Sequence, residues 1–168
     1  KTHSQREADE ITLDIARLCK EAAHEASVSF DDITSIGIGT PGAIDSYNGV
    51  VEYSCNLPTF ISYPLADKMK EFTGKDAIFV DNDANAAALG EAVAGCGNGV
   101  PSFIAITLGT GVGSGIVLDG KVYRGSNFCG GEMGHTVICV DGIPCNCGRK
   151  GCWEKYASAT ALVSQAVE

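Results

Sequence analysis

Residues 130–154 read GGEMGHTVICVDGIPCNCGRKGCWE, and the rest of the chain is organised around them. One histidine, His135, precedes three closely spaced cysteines, Cys145, Cys147 and Cys152. Three thiolates and an imidazole make the closed tetrahedral shell that structural zinc prefers. Gly142, Gly148 and Gly151 lie among these positions and let a short loop wrap an ion. The Cys-x-Cys spacing is tighter than the Cys-x2-Cys of most zinc fingers. Incidental thiols in a reduced loop, or a disulfide, are the alternatives. Ligand number and type favour zinc. Cys129 and Cys139 stand nearby as substitute ligands, ranked below the three. Two carboxylates, Glu132 and Glu154, bracket the set.

Working outward, 168 residues with 45% hydrophobic and 20% charged side chains describe a core-forming globular chain. A net charge of −9 argues against a nucleic-acid surface in this region, because phosphate binding needs clustered Lys and Arg. No apolar run approaches the roughly 20 residues of a membrane span. Cys19, Cys55 and Cys96 are scattered through apparent core segments, which fits a reducing cytoplasm better than a disulfide framework.

Residues from about Ser4 to Ala26 predict a helix, with Ile11, Ile15, Leu18, Ala22 and Ala26 along one apolar face. His3 and His24 read as solvent-facing. Ile33–Ile38 predicts a buried strand running into Gly37-Ile-Gly-Thr-Pro-Gly42, either an ordinary turn or a ligand-facing one at a strand's carboxyl end. Val50–Tyr53 predicts a short strand. Pro64 to Phe72 predicts a helix opened by proline and stopped by Gly74. A strand at Ala77–Val80 leads into Asp81-Asn-Asp-Ala-Asn85 and a helix over Ala84–Ala94. Asn82 or Asp83 can cap that helix. Alternatively, Asp83 faces a ligand as a general base, a role worth about 10²–10⁴ in rate.

A strand at Pro101–Leu108 enters Gly109-Thr-Gly-Val-Gly-Ser-Gly115. This run lacks the Gly-Lys-Ser/Thr ending of a Walker loop. It can still offer backbone N–H groups and the Thr110 hydroxyl to phosphate, although such bends also close ordinary hairpins. Ile116–Leu118, the Asp119-Gly120 turn and Lys121–Tyr123 predict a β-hairpin. The last segment, Trp153 to Val167, predicts a helix broken at Ser158, with Trp153, Tyr156 and Leu162 packing inward.

GIGTPGAID, VDNDANAAALGE, LGTGVGSGIV, GGEMGHT and CNCGRKGCWEKYASATAL occur in that order. Together they resemble the ROK family of repressors and sugar kinases, over nearly the whole chain from Ile33 to Ala161. The resemblance implies an α/β fold of the actin-like, sugar-kinase ATPase (ribonuclease H-like) type. Residues 1–84 would belong to its N-terminal domain and residues 85–168 to its C-terminal domain. It implies that Asp83 is the catalytic base. Asn82, Asp83, Glu132, His135 and Glu154 would bind the sugar hydroxyls, and Thr110 and Gly111 would approach the nucleotide. His135 would serve both the sugar and a structural zinc. ATP with Mg²⁺ would donate the phosphoryl group.

Family kinases open with an Asp-x-Gly-Gly-Thr hairpin and continue into an adenosine-holding segment. The expectation is therefore an internal fragment, inactive alone, of a cytoplasmic, homo-oligomeric hexose kinase acting at the 6-hydroxyl of glucose or a close relative. The alternatives are a sugar-sensing ROK repressor and a zinc-stabilised binding module.

Overall fold

The computed structural model describes residues 2–167, which divide into two compact units between Asn82 and Asp83. The first unit opens with helix α1, Ala8–Glu25. Its buried stripe is Ala8, Ile11, Thr12, Ala16 and Ala23, so the inward face is rotated from the predicted one and Leu18 is exposed. The cause is Thr12. Its hydroxyl donates to the Ala8 carbonyl at 2.8 Å and accepts from the Tyr63 hydroxyl at 3.0 Å, so a polar side chain is buried with its hydrogen bonds met. Tyr63 also reaches Asp9 at 2.7 Å, and Lys68 lies 3.2 Å from the same carboxylate. His3 and His24 are exposed, as expected.

Strand β1, Ile36–Thr40, begins three residues later than predicted. A 3₁₀ turn at residues 30–32, where Ser29 accepts from the Asp31 amide, precedes it. Strands β2 (Ala43–Asp45), β3 (Val50–Tyr53) and β4 (Ile61–Tyr63) form an antiparallel sheet. Helix α2, Leu65–Thr73, places Pro64 one position before its first turn and ends at Gly74, whose φ of 73° is left-handed. Strand β5, Ile78–Asn82, pairs in parallel with β1, bringing Thr40 beside Asn82. Ile11, Ile44, Val51, Phe60, Leu65, Met69 and Val80 lie in the core of this unit.

The second unit starts with helix α3, Asp83–Ala94. Strands β6 (Phe103–Leu108), β7 (Val112–Leu118) and β8 (Lys121–Val122) form an antiparallel sheet in that order. The turn between β7 and β8 has positive φ at both Asp119 and Gly120, the type I′ geometry that suits the twist of a hairpin. Gly113 and Gly115 lie inside β7 rather than in the bend predicted over residues 109–115, and they bring α3 close. A Cβ on Gly115 would stand 2.5 Å from the Ala88 methyl, and one on Gly113 would stand 3.1 Å from that of Ala84. The chain closes with α4, Glu154–Ala157, and α5, Ala159–Val167. They break at Ser158, whose hydroxyl caps α5 by accepting from the Ala161 amide at 3.0 Å. Leu162, predicted to pack, is 68% exposed. Among the described residues no helix is long and apolar enough to cross a membrane.

Candidate sugar and metal site

Four ligand atoms, one each from His135, Cys145, Cys147 and Cys152, lie within 4.8 Å of one another. The Cys147 and Cys152 sulfurs are 3.5 Å apart, and Cys145 Sγ is 3.6 Å from His135 Nδ1. Thiolates around a tetrahedral zinc stand about 3.8 Å apart, so the donor set fits that ion in spacing and in kind. Burial pushes the Cys145 thiol up to about 12. None of the eight cysteines is in a disulfide, and neither Cys129 nor Cys139 joins the set.

The loop is shaped by backbone bonds. The Cys145 amide donates to Arg149 and the Gly148 amide returns to Cys145, making a tight turn around Cys147. Ile138 donates to the Gly151 carbonyl, and Gly151 donates to Ile143. The Tyr156 hydroxyl accepts from the Ile143 amide at 3.0 Å, so α4 steadies the loop, and Tyr156 packs as expected.

Carboxylates gather beside this cluster. Glu154, the first residue of α4, accepts from the Cys145 thiol at 3.2 Å, and its Oε1 lies 3.8 Å from His135 Nδ1. Its other oxygen crowds the Gly109–Gly111 turn, where a Cβ on Gly111 would be 2.6 Å away. The Ala159 amide donates to the Gly109 carbonyl at 2.9 Å, so the turn is held from two sides. Thr110 is exposed at its tip. Glu132 keeps solvent contact, yet surrounding protein desolvates its carboxyl and raises its pKa; His135 opposes that shift, and the charges of Asp83 and Glu154 add to it.

Asp83 is exposed at the first turn of α3, with its Oδ1 accepting from the Ala84 amide at 2.9 Å. Asp83, Glu132, His135 and Glu154 all belong to the second unit, and Glu132 feels the charges of the other three. Asn82, the last residue of the first unit, is 9% exposed and donates through Nδ2 to the Gly42 carbonyl at 3.1 Å. Three carboxylates and an imidazole offer directional acceptors to several hydroxyls at once, and an exposed carboxylate can take up a proton.

Ser114 escaped the sequence reading. It is buried on β7, and its hydroxyl bonds both the Gly131 carbonyl and the Met133 amide, the backbone groups flanking Glu132. A polar residue interrupting a glycine run inside a strand was its only sequence signal.

The model of the ROK family matches residues 2–168. A glucokinase from Thermotoga maritima is 44% identical over 149 residues, 89% of this chain and 46% of that protein. A solved ROK family glucokinase from Streptomyces griseus, in complex with glucose and AMPPNP, superposes with a TM-score of 0.82 at 39% identity. That match covers 97% of this chain and 50% of the other. A xylose repressor from Bacillus subtilis is 34% identical over 162 residues, 96% of this chain and 41% of the repressor. The chain thus spans about half the length of the curated relatives it matches. The fold is the mixed α/β, actin-like ATPase fold of the ROK sugar kinases. With a match across essentially all of its residues, the chain belongs to the ROK family.

Proposed function

We propose that the whole protein transfers the γ-phosphoryl group of ATP to the 6-hydroxyl of glucose or a close relative. The observation that carries this reading is Glu132 within reach of the charges of Asp83, His135 and Glu154, with Glu154 also set against the Gly109–Gly111 turn. In this reading Asp83 takes the proton of the sugar hydroxyl as its oxygen attacks phosphorus, and ADP leaves. Asn82, Glu132, His135 and Glu154 bind the other hydroxyls. Thr110 and Gly111 approach the nucleotide phosphates, whose charge Mg²⁺ offsets. Phosphoryl transfer depends mainly on such positioning and charge stabilisation. Zinc on His135, Cys145, Cys147 and Cys152 would supply a structural crosslink that fixes His135 and the start of α4. The unit ending at Asn82 is then part of an N-terminal α/β domain, and the unit beginning at Asp83 part of a C-terminal one.

A sugar-sensing repressor is the second reading, supported by the similarity to the Bacillus subtilis xylose repressor. The exposed Asp83 supports the kinase, because sensing needs no base. The test is ADP release by the full-length protein over a panel of hexoses. Release that depends on one hexose supports the kinase and names its substrate. Hexose binding without ADP release from any of them transfers the assignment to the repressor.

A further inference from the structure

Glu132 has φ −71° and ψ 55°, close to the inverse γ-turn minimum of about −75° and +65°. The turn is closed by the Met133 amide donating to the Gly131 carbonyl at 2.7 Å. The Ser114 hydroxyl spans both ends of this turn. It donates to the Gly131 carbonyl and accepts from the Met133 amide at 3.0 Å. Ser114 is 5% exposed, so these bonds form away from competing water. Gly131 lies so close to β7 that a Cβ there would be 3.1 Å from the Ser114 carbonyl, and one on Gly134 would collide with the Val112 carbonyl. The loop is thus seated on one side of β7 while Gly113 and Gly115 seat α3, and hence Asp83, on the other.

We propose that Ser114 is a positioning residue: its hydroxyl locks the backbone at Glu132 and so aims that carboxylate at the sugar. The inference rests on the reading of Glu132 as a sugar ligand. A three-residue turn carries a single bent bond of its own, so without the hydroxyl the peptides on either side of Glu132 can rotate. The carboxylate then samples directions that miss the sugar. Because the aim of Glu132 matters equally in the ground and transition states, its loss raises KM with little change in kcat.

The test is calorimetric titration of glucose into the full-length protein, with steady-state kinetics alongside. Ser114→Ala is expected to weaken glucose binding about tenfold, leaving the KM for ATP and the bound metal unchanged, and Ser114→Thr, which retains the hydroxyl, to restore most of the affinity. In a Glu132→Ala background Ser114→Ala is expected to have no further effect, since residues acting through one another are non-additive. If Ser114→Ala does not fold, Ser114→Gly supplies the same comparison. Equal losses in both backgrounds, or unchanged glucose binding on removal of the hydroxyl while Glu132→Ala weakens it, would overturn the proposal alone. Glucose binding indifferent to Glu132→Ala would overturn the ligand role of Glu132 and the proposal with it.

Discussion

A methyl group on Gly151 would fall on the Cys139 carbonyl, at a backbone φ of 74° that side chains rarely adopt. Gly151 also donates to Ile143 and accepts from Ile138, next to Cys152 of the candidate metal site. Gly151→Ala should therefore open the loop although it removes no ligand. Zinc measured by elemental analysis should fall well below one per chain in this variant, as it should in Cys147→Ser, which deletes a ligand outright. Full metal occupancy in Gly151→Ala would mean that the loop folds without this close approach. At this scale the sequence was informative wherever chemistry declares itself by residue type. His135 and the three cysteines could be chosen from their donor atoms, and the structure gathers those four. Ser114 could not be chosen, because a serine announces neither burial nor the loop that folds back onto it.

Strand β7 is the element on which the second unit depends. Its glycine face admits α3 at short range, so a small side chain there must push the helix away. Gly115→Ala should cost about 1–3 kcal/mol in denaturant titrations, as overpacking generally does. Shifting α3 should also misplace Asp83, its first residue, and lower kcat. A variant as stable as the parent would show that α3 has slack.

In the first unit, Asp45 closes the turn between β2 and β3, accepting from the Tyr47 and Asn48 amides and from the Asn48 side chain. The Asn48 side-chain bond, chief among these, holds its carboxyl below the ordinary range. A depressed folded pKa contributes stability that is present above the unfolded value of about 3.9 and lost as pH falls through the folded one. Thermal stability should decline below about pH 4, and Asp45→Asn should flatten that decline. The hairpin at Asp119-Gly120 and the break at Ser158 were legible because turn and cap chemistry are local. The inward face of α1 was not, because burial of Thr12 depends on Tyr63, 51 residues away in the chain. Nor was the start of β7 within the glycine run, since close helix packing and a tight bend both ask for glycine.

Across the whole molecule, the five motifs in order carried the family, and the match over residues 2–168 agrees. The relatives are about twice as long. Ile104, Ile106 and Leu108 of β6 and Leu162 and Val163 of α5 are exposed, apolar surface of the kind that more protein covers. The 168-residue chain expressed by itself should therefore release no ADP with ATP and any hexose, and turnover by it would show that these residues suffice. The most direct test of the central claim compares the full-length protein with its Asp83→Asn variant, measuring hexose affinity and hexose-dependent ADP release on the same preparations. With Asp83 as the base of the proposed kinase, the substitution should leave affinity within a few-fold while release falls by about 10²–10⁴. Release that survives Asp83→Asn, at unchanged hexose affinity, would contradict the account.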